Sequence, residues 1–192
     1  MEKLQELKQR LRQERPQSWE AMPDIDLYMD QVISYMSRQM IQYNDREMLT
    51  SAMVNNYIKD GMLPRAVGKR YSRVHLGFLT AICALKQVLS VRDTGRLIKT
   101  ERTQQDSKEL YAYFLQALDE ALSQTADDID AYPEGEALSR LALDFALRSY
   151  ANRLACERIL DIIDETTPPV EQNKKADRKS GKEHTKTARE EP

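Results

Sequence analysis

Between Thr50 and His75 the chain gathers side chains suited to holding a polyanion. Asn55 and Asn56 are adjacent amides, and an amide presents a donor and an acceptor together, as bidentate pairing with an adenine edge requires. Thr50 and Ser51 bring hydroxyls to a helix start, where free backbone N–H groups also favour phosphate. Lys59 lies near the end of the same segment. Arg65, Lys69 and Arg70 flank Gly68, which permits a tight reversal. Tyr71 can offer its hydroxyl to a phosphate, and Arg73 and His75 fall in the first turn of the next helix. Bases there oppose the helix dipole, so an external anion explains them better than stability does. Plainer roles stand beside these: solvated asparagines, Tyr57 and Tyr71 as core or half-core rings, and His75 as a lone imidazole with no ligating partners nearby.

These residues need elements to hold them. Thr50 is expected to cap a helix of Ser51 to Asp60, with Gly61 as its left-handed terminator. Met62-Leu63-Pro64 turns the chain into extended structure, and 65–71 reads as two very short strands around Gly68. Ser72 caps a helix expected to run through Leu89, and Ser90 starts a short one to about Lys99. Upstream, 2–15 reads as a charged helix striped by Leu4, Leu7 and Leu11. Trp19 anchors the loop that follows, and Asp24 caps a helix to about Tyr43. Downstream, helices over 107–125 and 136–165 are expected, joined by TADDIDAYPEG. The second has so thin a polar stripe that it either crosses the centre of the domain or lies in a subunit interface. From Thr166 onward the chain is almost wholly polar and reads as disordered.

Bulk properties bound the function. The 192 residues are 41% hydrophobic and 31% charged, the composition of a folded, soluble chain. Net charge is −2, but residues 49–105 hold ten Lys/Arg against three acids and residues 106–165 five against fourteen. A local basic field attracts polyanions whatever the total, and an acidic half would orient the approach. No apolar run reaches the length of a membrane span, and the N-terminus lacks a signal core, so a cytoplasmic protein away from membranes is expected. Cys83 and Cys156 read as buried thiols. There is no glycine-rich phosphate loop, HExxH, paired CxxC or GxSxG, so no enzyme, metal or cofactor is expected. Asp127, Asp128 and Asp130 read as a solvated acidic loop.

The order of polar helix, Gly61-Met62-Leu63-Pro64, basic turn and Lys69-Arg70-Tyr71-Ser72 resembles the MerR-type winged helix-turn-helix, over about 46–99. Asn55-Asn56 stand where that type carries Arg-Tyr, and the wing is shorter. The resemblance implies duplex DNA as the partner, with a recognition helix in the major groove and the wing on the backbone. The Trp-Glu-x-Met-Pro-Asp-Ile-Asp opening and the Tyr-x-Lys-x-Gly-Met-Leu-Pro stretch also resemble a bacterial family known as domain of unknown function 1836.

The expected fold is all-α: a winged helix-turn-helix with a very short β-wing plus a C-terminal helical hairpin. The expected division is 1–23 helix and anchored loop, 24–105 winged domain, 106–165 dimerisation or effector region, and 166–192 tail. The expected function is sequence-specific or semi-specific binding of double-stranded DNA by a transcriptional regulator, as a homodimer, with Thr50, Ser51, Asn55, Asn56, Lys59, Arg65, Lys69, Arg70, Tyr71, Arg73 and His75 at the interface. The alternatives are a protein-interaction module on a degenerate helix-turn-helix scaffold, or a receptor for a small-molecule effector using Tyr111, Tyr113, Phe114, Phe145 and Tyr150.

Overall fold

A computed structural model describes residues 2–39, 49–132 and 137–166. The described residues form seven helices: α1 (Glu2–Gln13), α2 (Met29–Met36), α3 (Ser51–Lys59), α4 (Arg73–Leu85), α5 (Val91–Gln104), α6 (Ser107–Asp130) and α7 (Leu138–Thr166). The chain is all-α. No strand forms among the described residues; Val67 with Arg70, and Leu27 with Tyr71, make isolated antiparallel bridges. The expected strand pair around Gly68 is therefore a turn closed by one bridge. Gly68 and Lys69 have φ of 58° and 63°, the paired positive angles of a type I′ reversal, which matches the strand twist but leaves no residues for a ladder.

α4 is the central element. Leu76, Leu79 and Ile82 are fully buried, and Val32 of α2 and Val54 of α3 join them in one cluster with Tyr57, Met62, Leu63 and Tyr71. Each such side chain contributes about 1.5–3 kcal/mol of burial. Ser72 starts α4: its N–H donates to His75 Nδ1 at 3.0 Å, and its Oγ lies 3.0 Å from the same atom. Trp19 packs on α6 through Tyr111, ring centroids 6.0 Å apart, and so anchors its loop as the sequence suggests.

Several boundaries differ from the sequence reading. The helix expected from Asp24 begins only at Met29, because Leu27 exchanges two backbone hydrogen bonds with Tyr71 and stays extended. Gln31 Oε1 then accepts from the Tyr28 N–H at 2.9 Å, which starts the helix there. The expected stretch 40–43 lies outside the described residues. α4 ends at Leu85 rather than Leu89, and the chain leaves through a turn with Lys86 as cap. α5 runs past Lys99 to Gln104, held by Arg102, whose Nη1 donates to the carbonyl of Gly61 at 3.0 Å.

α6 absorbs the supposed acidic loop and reaches Asp130. The docking of α1 explains this. Leu11 packs with Ala126 and Ile129, while Arg12 bridges Asp127 and Asp130 and Lys8 pairs with Asp130. Asp128 pairs with Arg148, so these carboxylates serve helix packing, and no metal-binding group occurs among the described residues.

α7 does not cross the centre of the fold. Leu141 and Phe145 join the small cluster at the end of α6, and farther along α7 packs on α5. There Arg96 gathers Asp93, Asp161 and Asp164. Leu143, Leu147, Tyr150 and Leu154 remain exposed. Of the five aromatics grouped in the sequence, Tyr111 and Phe114 pack together (ring centroids 5.9 Å) and Tyr113 is exposed beside them on α6; Phe145 belongs to the other cluster and Tyr150 faces outward. The tail from Thr167 lies outside the described residues.

Candidate nucleic-acid interface

α3 is short and two-sided. Thr50 Oγ1 accepts from the Met53 N–H at 3.2 Å and caps its start. Its end is a Schellman motif: Met62 N–H donates to Tyr57 O at 2.8 Å, Gly61 N–H to Ile58 O at 3.1 Å, and Gly61 takes φ of 74°. Val54 and Tyr57 face the core and are buried, with Met53 and Ile58 partly so. At helical spacing this leaves Ser51, Ala52, Asn55, Asn56 and Lys59 on the other face, and all five are exposed. The asparagines, poor helix formers, are therefore spent on solvent, not on packing.

The Gly68 turn holds Lys69 at its tip. Arg65, Lys69 and Arg70 are exposed. Lys59, Arg65 and Lys69 pair with no described carboxylate. Arg70 is oriented by Tyr28: its Nη2 donates to the Tyr28 hydroxyl at 2.9 Å and its guanidinium lies 4.9 Å from the ring centroid. That arrangement stiffens the arginine while leaving its charge at the surface.

Three residues of the sequence-derived set do not share this exposure. Tyr71 is buried, paired through its backbone to Leu27 and packed edge-on against His75 at 5.4 Å; burial pushes its phenol pKa up. Arg73 is half-buried and donates to the carbonyls of Met22 and Pro23, at 3.0 and 3.4 Å. Its place in a first turn is explained by holding the Trp19 loop. His75 is buried and completes the cap of α4. Burial pushes its pKa below the ordinary value, although the carbonyls of Pro64 and Arg65 favour the charged ring; neither makes a formed hydrogen bond to Nε2. The sequence already allows Tyr71 as a core ring; it shows Arg73 and His75 only as polar and does not show that they turn inward.

Two cations outside the sequence-derived set belong to the neighbourhood. Lys99 lays its side chain along Gly61, its Cε 3.5 Å from where a Cβ there would sit. Arg102 binds the Gly61 carbonyl, as above. Both complement the negative end of α3. No local pattern reveals them, since α5 meets this turn only through the tertiary fold. The charge segregation of the sequence is partly consumed inside the molecule, where Arg96 of the basic segment is neutralised by aspartates of the acidic one.

No curated protein and no solved structure matches this chain. A family model described as domain of unknown function (DUF1836) matches residues 17–114, from the Trp19 loop through α2 to α5 and into the start of α6. The chain belongs to the DUF1836 family.

Proposed function

We propose that this protein binds double-stranded DNA, as a bacterial transcriptional regulator that carries out no catalysis. α3 and the Gly68 turn act as the recognition helix and a minimal wing of MerR-like type. One observation carries the reading: α3 turns an apolar side to the core and presents Ser51, Asn55, Asn56 and Lys59, with only Ala52 apolar among them, on its outer face, beside a turn that lifts cations without neutralising them. Thr50 and Ser51 lie at its amino end, where backbone N–H groups can meet a phosphate. Arg65, Lys69 and Arg70 supply backbone contacts that set affinity, and the asparagines read bases. The test is binding of the full chain to genomic fragments over a salt series. Salt-sensitive retardation at micromolar protein is expected; its absence removes the proposal.

The working unit in this reading is a cytoplasmic homodimer, which doubles the contacts on a palindromic site. Its support is α7. Leu143, Leu147, Tyr150 and Leu154 are spaced four, three and four residues apart, an a/d seam, and all are exposed. An antiparallel pairing is self-complementary: Leu143 meets the partner's Leu154, and Leu147 meets the partner's Tyr150. The same stripe favours the second reading, a protein-interaction module on this scaffold, and retention of partners without any affinity for DNA would decide for it.

A further inference from the structure

A cleft of about 330 Å³ opens between α4, α5 and α6. Its walls are almost wholly apolar, with Phe78, Ala81, Ile98, Leu110 and Phe114 prominent among them. Glu101 is the one charged side chain among the described residues that line it. Gln105 Nε2 donates to Glu101 Oε2 at 3.2 Å and fixes the carboxylate; Oε1 has no described partner. Tyr113, 64% exposed, also lines the cleft, and its ring face suits a cation. The volume falls at the lower end of small-molecule sites, and such sites combine apolar walls with few fixed polar groups.

The geometry points to a binding site for a small apolar amine, its body among Phe78, Ile98 and Phe114 and its ammonium on the Glu101 carboxylate. The sign of the charge chooses the ligand. An acid would set its own carboxylate against Glu101 beside apolar walls, and a neutral body would cover part of the carboxylate while adding no partner to the one Gln105 supplies. The assignment stands independently of the nucleic-acid reading.

Trp19 is the only tryptophan, and its ring packs on Tyr111, which lines the cleft, so its fluorescence reports occupancy through that contact. The full chain is titrated with phenethylamine, phenethyl alcohol and phenylacetate, three probes of closely similar shape. Saturable change is expected with the amine, at least about tenfold weaker with the alcohol, and none with the acid; a tenfold ratio corresponds to about 1.4 kcal/mol. Glu101→Gln should lower affinity for the amine to that for the alcohol while circular dichroism stays unchanged. Ala81→Leu, which fills the cleft, should abolish binding of all three. Equal binding of amine and acid, a preference that survives Glu101→Gln, or no saturation at millimolar amine overturns the site. A response that depends on protein concentration instead of probe concentration would mean that a second copy occupies the cleft, and would also overturn it.

Discussion

At the residue scale, exposure divides the polar side chains between Thr50 and His75 into two groups. Lys69 and Arg70 face solvent, and Lys69→Ala or Arg70→Ala should weaken binding to every duplex and reduce the slope of log affinity against log salt by about one each. Asn55→Ala or Asn56→Ala should leave that slope unchanged and relax preference at one base pair, by about 1–3 kcal/mol. Anisotropy titrations against a matched and a scrambled duplex, over a salt series, read both effects. His75 predicts a different signature. Its folded pKa lies below the ordinary 6.5 because the ring is buried, so the unfolded chain takes up the proton first. The stability it supports is complete above about pH 6.5 and is lost as pH falls from there toward the depressed folded value. His75→Gln keeps an acceptor for the Ser72 N–H and removes the titration, so the fall in urea midpoint between about pH 7.5 and about pH 5.5 should be smaller in the variant.

At the element scale, the end of α3 is the sensitive point. Gly61 holds a left-handed angle that lets Met62 return to Tyr57 and presents two carbonyls to Arg102. Gly61→Ala should cost about 1–2 kcal/mol, seen as a lowered denaturant midpoint with an unchanged slope. Arg96 holds α7 to α5 through two aspartates, Asp161 and Asp164, but the pairs are surface pairs, with both aspartates half exposed. Arg96→Ala should therefore change global stability by no more than about 1 kcal/mol. Hydrogen exchange in the last turns of α7 should rise instead, since that end loses its attachment while the α4 core is untouched.

At the scale of the molecule, α7 carries an amphipathic seam with no partner among the described residues. Four large side chains left about half exposed would remove roughly 400 Å² per protomer from water, about half of what a standard interface provides. Self-association is thus expected to be concentration-dependent. Leu147→Asp should shift sedimentation toward the monomer without loss of helicity. DNA affinity should fall steeply in the same variant, because each protomer offers only one short helix and one turn. The cleft joins this picture through Phe78, which lines it and has Arg102 stacked at 5.2 Å. Amine binding is expected to alter DNA affinity through that arginine and the Gly61 turn, and retardation with and without phenethylamine measures it.

The sequence by itself determined the helical class, the capped polar helix of α3, its Gly61 terminator and the anchoring role of Trp19, because caps, glycine angles and apolar spacing act over a few residues. It also carried the family, through the Trp19 opening and the Gly61-Met62-Leu63-Pro64 stretch. Only the tertiary structure decided which polar groups face outward. Tyr71 and Arg73 turn inward because Leu27 and Met22 meet them across the fold, while His75 turns in to close the cap of α4 on Ser72, three residues before it. The acidic stretch of α6 is helical because α1 docks on it, and α7 is bare because no other described segment packs over Leu147 and Tyr150. Helical periodicity marks a face as apolar; what covers that face is set by packing between segments distant in sequence.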